Sequence, residues 1–200
     1  VSCEGEGARI WWPNKDHITA EGDSVRMAYT VPSNLFAVGN GKLKSVKNKD
    51  DKTTYEWFVS NPINNYNISV QIGNYVAVQD TFLKDNQTHF MNHYVLDYNS
   101  ELASNFFPQS KEVIRFYEKY FGDYQWYDDG YKLIEVPYLG MEHQSAVTYG
   151  NGFSMYNGVR SKSWPMYGVI DPLIIHETGH EWFGNSVTAS DPTHIWIHEG

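Results

Sequence analysis

The chain has 200 residues, of which 41% are hydrophobic and 20% are charged, and this composition is typical of a globular protein rather than a disordered one. Its 24 acidic side chains outnumber the 15 basic ones, so the net charge is −9. Proteins that bind nucleic acid or an anionic membrane need a positive face, and the charge therefore argues against both partners. The single cysteine, Cys3, excludes an intrachain disulfide framework. No stretch reaches the roughly 18 apolar residues that a membrane-spanning segment requires.

The first half of the chain has the pattern of β-strands. Short runs rich in β-branched and aromatic residues alternate with turn residues, which is typical of an antiparallel sheet or sandwich. The Gly39-Asn40-Gly41 segment predicts a hairpin between the strands on either side, and Gly73-Asn74 predicts another turn. The predicted strands are Val25–Pro32, Leu35–Val38, Lys42–Val46, Tyr55–Ser60, Tyr66–Ile72, Tyr75–Gln79 and Thr88–Tyr98.

Helical patterns begin near residue 100. Apolar side chains recur at helical spacing before Gly122, a residue type that commonly ends helices, and two Asp-Pro pairs resemble helix starts. We divide the chain at this change into residues 1–98 and 99–200. Because no flexible linker separates the two parts, we expect them to pack together. The predicted elements are a helix over Gln109–Phe121, a strand over Tyr131–Val136, a helix from Asp171-Pro172 to about Asn185 and a helix after Asp191-Pro192.

The second predicted helix contains the motif H-E-x-x-H, from His176 to His180. Residues four apart lie about 40° apart around an α-helix, so both histidines project from one face and can share one metal ion. Glu177 lies about 100° from His176, beside the ion, where a base can take a proton from a water on the metal. A catalytic zinc typically has three protein ligands and one open position. Glu199 completes a His2Glu set, because the break at Asp191-Pro192 lets the chain reverse.

Gly179 lies inside this predicted zinc helix. Glycine in a helix interior is about 1 kcal/mol less favourable than alanine. We therefore expect another element to pack closely against Gly179.

Several motifs together resemble those of the gluzincin aminopeptidases of the aminopeptidase N family. H-E-x-x-H followed after eighteen residues by Glu199 is similar to that family's zinc signature, and the segments 182–185 and 196–200 extend the likeness. Upstream, Gly140-Met141-Glu142-His143 resembles the family's Gly-x-Met-Glu-Asn exopeptidase motif. Cys3-Glu4 resembles a segment of the family's N-terminal β-domain, so the likeness extends over essentially the whole chain.

The resemblance implies an α+β fold. An antiparallel β-sheet domain, of which residues 1–98 would be the later part, would be followed over 99–200 by the start of a thermolysin-like catalytic domain with the zinc helix. It also implies one zinc ion as the cofactor, with His176, His180 and Glu199 as its ligands. Glu177 would be the general base on the zinc-activated water and would then return the proton to the leaving amine.

The same resemblance implies a peptide substrate with a free N-terminus. Glu142 and Glu4 would bind its α-ammonium group, and two carboxylates around one ammonium would hold the end of the peptide one residue from the zinc. The backbone of Gly140 and Met141 would pair with the extended substrate like an added strand.

The exopeptidase motif departs from the family pattern at two positions. When it is aligned on Met141 and Glu142, the motif's leading glycine falls on Leu139 and its closing asparagine on His143. These departures leave the local backbone geometry open but retain the glutamate.

Two alternatives to the zinc aminopeptidase remain. The first is an epoxide hydrolase on the same scaffold, and the second is a non-catalytic binding member of the family, against which the complete set of ligands and base argues. The chain starts with Val-Ser-Cys-Glu and ends with His-Glu-Gly, so we expect it to be a truncated piece of a longer protein. The family's tyrosine that stabilises the oxyanion would lie beyond Gly200. We therefore expect the 200-residue chain alone to be inactive and to self-associate through uncovered apolar faces.

Overall fold

The computed structural model describes residues 1–3, 7–15, 17–153 and 170–199. In the first half, a three-stranded antiparallel sheet has the order β2-β5-β4, and two smaller antiparallel pairs are β3 with β7 and β1 with β6. These strands are β1 (Glu21–Gly22), β2 (Val25–Pro32), β3 (Phe36–Gly39), β4 (Lys42–Lys49), β5 (Lys52–Val59), β6 (Ile63–Asn64) and β7 (Val70–Gly73).

The hairpin predicted at Gly39-Asn40-Gly41 is wrong. Strand β3 pairs with β7 and strand β4 pairs with β5, so this segment carries the chain from one sheet to another. The reason lies in Asn40, which is fully buried instead of lying at an exposed turn. Its side-chain amide donates hydrogen bonds to the carbonyl oxygens of Asn67, at 2.9 Å, and Gln144, at 2.7 Å.

The strand predicted over Tyr66–Ile72 is only partly correct. Its beginning is a 3-10 turn, Asn65–Asn67, which Asn64 caps by accepting a hydrogen bond from the backbone N–H of Tyr66. The strand itself is β7. The predicted turn at Gly73-Asn74 leads from β7 into a different sheet, not into a hairpin.

The longest hairpin joins β8 (Tyr75–Lys84) to β9 (Gln87–Leu96). Its two connecting residues, Asp85 and Asn86, have φ values of 49° and 62°. Two central residues with positive φ are typical of the type I′ turn, whose twist matches that of the flanking strands.

This hairpin is part of a five-stranded sheet with the order β11-β12-β10-β9-β8. The other strands are β10 (Leu133–Glu135), β11 (Gly140–Met141) and β12 (Val147–Tyr149), and β10 runs parallel to both of its neighbours. Strands from both sides of residue 98 therefore share one sheet. The division into 1–98 and 99–200 stays a prediction.

Four α-helices are present in the described part of the chain: α1 (Ser100–Phe106), α2 (Ser110–Phe121), α3 (Pro172–Gly179) and α4 (Trp196–Glu199). Helix α2 confirms the predicted helix, and Gly122 follows it with a φ of 96°. Helix α3 ends at Gly179, earlier than the predicted end near Asn185, because the chain continues there in turns. In those turns the backbone N–H of Glu181 bonds to the carbonyl of Thr178, and that of Asn185 bonds to the carbonyl of His180. None of the described helices has the length and apolar character of a membrane span.

The two halves pack together, as expected. One hydrophobic core lies between the five-stranded sheet and the helices, and a second fills the first half. Ile134 and Ala146, from β10 and the loop before β12, contribute to the second core. Side chains of the second half thus complete the core of the first.

His93 is a fully buried histidine that joins β9 to β10. Its Nδ1 accepts a hydrogen bond of 3.0 Å from the backbone N–H of Leu133, so this nitrogen carries no proton. Its ring also packs against Phe107, with centroids 5.1 Å apart. Burial lowers the pKa of His93 to about 4 from an ordinary value of 6.5.

This shift predicts a loss of stability in acid. Below pH 6.5 the unfolded chain takes up a proton at His93 that the folded chain takes up only near pH 4, so stability falls as the pH falls between these values. We expect His93 to account for about 2 kcal/mol of the stability lost between pH 7 and pH 5. In the full protein, His93→Asn should reduce that loss by this amount in urea unfolding with a metal chelator present. The exposed His17→Asn is the matched control, and an unchanged pH dependence in His93→Asn would contradict the prediction.

Candidate metal centre

The start of α3 is held firmly in place. Pro172 occupies the first turn, and the side chain of Asp171 accepts a hydrogen bond of 2.8 Å from the backbone N–H of Leu173. Tyr149 donates a hydrogen bond of 2.8 Å to the same carboxylate, which ties the helix to β12. Leu173 and Ile174 are buried in the core that lies under the five-stranded sheet. The helix can therefore present its histidines in one defined orientation.

The structure brings the three predicted metal ligands together. The Nε2 atoms of His176 and His180 lie 3.2 Å apart. One carboxylate oxygen of Glu199 lies 3.6 Å from His176 Nε2, and the other lies 3.8 Å from His180 Nε2. Two ligand nitrogens that each lie about 2.1 Å from a tetrahedral zinc would be about 3.4 Å apart. The donor set and its spacing therefore fit zinc.

A hydrogen bond of the His180 ring determines which of its two nitrogens faces the site. Nδ1 lies 3.0 Å from the carbonyl oxygen of Phe183, and because a carbonyl only accepts, Nδ1 carries the proton. In the neutral ring, Nε2 is then the nitrogen that would bind the ion, as is usual for zinc-binding histidines. The His180 side chain is only 3% exposed, whereas those of His176 and Glu199 are 45% and 43% exposed. The site thus has one buried wall and one side that solvent reaches.

Glu177 and Glu142 are both buried beside this centre. Ligand atoms of Glu142, Glu177 and His180 all lie within 4.8 Å of one another. The Glu177 carboxylate also lies against the backbone of Gly140, so closely that a side chain at residue 140 would contact it. The predicted base and the predicted ammonium-binding carboxylate therefore line one pocket next to the metal ligands.

Strand β11 carries the exopeptidase motif at a sheet edge. Gly140 pairs with Tyr149 and Met141 with Thr148, and in the described residues β11 is the last strand on this side of the sheet. An edge strand has backbone groups that an additional strand can pair with. Glu4, the second predicted ammonium ligand, lies outside the described residues.

Sequence reasoning missed two charged residues that support the loop after β11. The ammonium group of Lys132 donates to the carbonyls of Gly41 and Ser145, at 2.7 Å each. The backbone N–H of Ser145, which has a φ of 58°, donates a hydrogen bond of 2.8 Å to Glu181. Burial lowers the pKa of Lys132 to about 7 and raises that of Glu181 to about 8. The sequence signal for Lys132 was weak, because Glu135 is a second charged residue in the same predicted strand.

His143, which stands where the family motif has asparagine, is completely buried. Neither ring nitrogen has a hydrogen-bond partner among the described residues. Burial lowers the pKa of His143 to about 3, so the ring is neutral. Leu139, which stands where the motif has its leading glycine, is half exposed.

Comparison with known proteins shows which family the chain is similar to. Residues 105–200 match the Peptidase family M1 domain. The chain is 24% identical to leucyl aminopeptidase of Saccharolobus solfataricus over 201 residues, which cover 98% of this chain and 24% of that protein. It is 27% identical to glutamyl aminopeptidase of Homo sapiens over 194 residues, which cover 87% of this chain and 18% of that protein. The chain thus spans less than a quarter of the length of either relative.

The fold has a solved counterpart. The crystal structure of an M1 zinc metallopeptidase from Deinococcus radiodurans superposes with a TM-score of 0.78 at 20% identity, covering 98% of this chain and 42% of that chain. Over residues 105–200 the chain is thus similar to the Peptidase family M1 domain, and its fold is that of the solved M1 zinc metallopeptidase. The resemblance to the gluzincin aminopeptidases and the α+β fold class are thereby confirmed. The roles of the individual site residues stay predictions.

The expected close packing at Gly179 is present. A Cβ atom at this position would lie 2.9 Å from Cζ of Tyr117 and closer still to its hydroxyl group. That hydroxyl donates a hydrogen bond of 3.2 Å to the carbonyl of Ile175, so α2 and α3 meet here without space between them.

This contact generates a double-mutant prediction in the full protein. Gly179→Ala should force α2 and α3 apart and cost about 1–3 kcal/mol of stability, with weaker zinc binding. Adding Tyr117→Phe removes the closest atom and should restore part of the stability and part of the zinc affinity. A double-mutant cycle in urea unfolding and zinc titration would measure both quantities. If the double variant loses the sum of the single losses, the contact does not separate the helices as argued.

Proposed function

We propose that the full protein containing this chain is a zinc metalloaminopeptidase that removes N-terminal residues from peptides. The observation that carries the proposal is that ligand atoms of Glu142, Glu177 and His180 lie within 4.8 Å of one another, beside the His176–His180–Glu199 set. A metal site, a base and a second carboxylate in one pocket match the requirements of hydrolysis next to a free N-terminus.

His176, His180 and Glu199 would hold one zinc ion. When bound, zinc supplies Lewis acidity, which polarises the scissile carbonyl and makes water acidic. The hydrogen bond from His180 to Phe183 orients its ring for this role. The open side at His176 and Glu199 leaves room for substrate and water.

Glu177 would move the protons. As the residue after the first histidine, it lies beside the ligand set, and its carboxylate rests against the backbone of β11, where the substrate would bind. It would take a proton from the attacking water and pass it to the nitrogen of the departing amine. One carboxylate can serve both steps because the proton that it takes up in the first step is the one that it donates in the second.

Glu142 would make the enzyme an exopeptidase. Its buried carboxylate would pair with the α-ammonium of the substrate, and Glu4 would share this task. The edge of β11 would pair with the first residues of the peptide. Together these contacts would fix the N-terminus one residue from the zinc.

The relatives favour this function over the alternatives. The two curated relatives named above are aminopeptidases, and the complete set of ligands and base argues against a non-catalytic member. No described residue specifically favours an epoxide hydrolase. The inactivity and self-association of the 200-residue chain alone stay predictions.

The role of Glu177 is tested by Glu177→Gln in the full protein. The amide cannot accept the proton, so kcat for an aminoacyl amide should fall about 10²–10⁴-fold. Zinc content, measured by atomic absorption, should remain near one ion per chain because Glu177 is not a ligand. The exposed Glu112→Gln on α2 is the control and should retain full activity. Turnover by Glu177→Gln at the wild-type rate would contradict the assignment.

The role of Glu142 is tested by blocking the substrate. An N-acetylated aminoacyl amide has no ammonium to pair with the carboxylate, so its kcat/KM should be roughly 10²-fold below that of the free amine. Glu142→Gln should remove most of this discrimination by lowering kcat/KM for the free amine. Equal cleavage of both substrates by the wild type would show that Glu142 has another role.

A further inference from the structure

Tyr66, from the first half of the chain, reaches the candidate site. It lies in the 3-10 turn Asn65–Asn67 and is only 1% exposed. Its hydroxyl donates a hydrogen bond of 3.4 Å to one carboxylate oxygen of Glu142. Its ring stacks on the ring of His198, with centroids 6.4 Å apart and an angle of 20° between the planes. Tyr66 thus contacts both the predicted ammonium-binding residue and the neighbour of the ligand Glu199.

The surrounding amides fix this turn relative to Glu142. The side chain of Asn67 donates a hydrogen bond of 2.8 Å to Asn185, and Asn185 donates one of 2.9 Å to the carbonyl oxygen of Glu142. Asn40 donates to the carbonyl of Asn67. The backbone of Glu142 and the turn that carries Tyr66 are therefore joined by buried amide bonds, which leave the phenol little freedom to move away.

We propose that Tyr66 is a positioning residue that orients the Glu142 carboxylate toward the ammonium group of the substrate. This inference rests on the proposed function. One oxygen of Glu142 accepts from the phenol, which directs the rest of the carboxylate into the pocket shared with Glu177 and His180. A distance of 3.4 Å is long for such a bond, and hydrogen bonds at catalytic sites commonly shorten when the ligand binds.

The phenol is suited to this task because it remains a donor. Burial, and then the negative charge of Glu142, raise the pKa of Tyr66 above its ordinary value of 10.0. The hydroxyl is therefore protonated at every pH used for an assay. It orients the Glu142 carboxylate without neutralising the negative charge that would pair with the substrate's ammonium group.

The test separates the hydroxyl from the ring. In the full protein, Tyr66→Phe removes the donor but keeps the ring that stacks on His198. We expect KM for a free aminoacyl amide to rise about 10-fold, with kcat within about threefold of the wild type and zinc content unchanged. Tyr66→Leu also removes the stacking and should in addition reduce zinc content.

Tyr55→Phe is the matched control. Tyr55 is another buried tyrosine of the first half, and its hydroxyl donates a hydrogen bond of 3.2 Å to the carbonyl of Leu35, away from Glu142. This variant loses a similar bond without touching the site, so its KM should be unchanged. An equal rise of KM in Tyr55→Phe and Tyr66→Phe would overturn the inference, because general destabilisation would then explain the effect.

Calorimetric binding of L-leucinamide to the metal-free full protein gives a readout that does not need turnover. Tyr66→Phe should weaken this binding about 10-fold, whereas N-acetyl-L-leucinamide should bind no variant better than another. If the wild type binds leucinamide through Tyr66 but hydrolyses no aminoacyl amide, the proposed function fails and the inference stands. If the wild type is active and Tyr66→Phe matches it in KM and in binding, the inference fails alone. A wild type that neither cleaves the amide nor binds leucinamide overturns both.

Discussion

Two carboxylates buried within 4.8 Å of each other and of a histidine nitrogen impose the main constraint on this molecule. A buried carboxylate is costly unless a cation or hydrogen-bond donors compensate its charge. In the proposed function, the zinc beside His180 and the ammonium group of the substrate supply that compensation. The pocket is therefore suited to a cationic ligand, and its empty form depends on the neighbouring protein groups to keep the carboxylates in place.

Those neighbouring groups come from both halves of the chain. Asn40 bonds to backbone carbonyls of residues 67 and 144, and Lys132 bonds to those of residues 41 and 145. Each of these side chains thus joins a segment of the first half to the loop that follows β11. Because the polar groups are buried, breaking such a bond leaves an unsatisfied carbonyl and costs more than a surface bond does. The first half is therefore part of the site's support and not only a neighbouring domain.

The sequence predicted the local elements well, because these depend on short-range patterns. Helical periodicity, Gly122 and the Asp171-Pro172 pair defined α2 and the start of α3, and the four-residue spacing placed His176 and His180 on one face. The partners of the strands were not predictable in the same way. Gly39-Asn40-Gly41 has the local pattern of a hairpin turn, but the buried amide of Asn40 donates hydrogen bonds to carbonyls that are distant in the sequence. These tertiary hydrogen bonds determine the path of the chain.

The same limit applies to the support of the site. Lys132 and Glu181 carry no motif, since their importance comes from which carbonyl or N–H lies opposite them in the fold. Tyr66 was assigned only to a strand, because nothing in its neighbouring residues indicates that Glu142, 76 positions later, lies against it. Sequence motifs identify the residues that take part directly in the chemistry. Groups that orient them can come from any part of the chain.

The chemical nature of the groups around Glu142 follows from what the carboxylate must bind. An arginine or lysine in the place of Tyr66 would form a stronger bond, but it would compete with the substrate's ammonium for the same oxygens. Tyr66, which donates to the Glu142 carboxylate, and Asn185, which donates to the backbone carbonyl of Glu142, are both neutral, and the adjacent His143 is kept neutral by burial. A neutral donor such as Tyr66 restricts the orientation of the carboxylate while it leaves the negative charge available. The site can therefore be preorganised while its carboxylate keeps its negative charge. The favourable Coulomb energy of that charge then contributes to binding the positively charged ammonium group of the substrate.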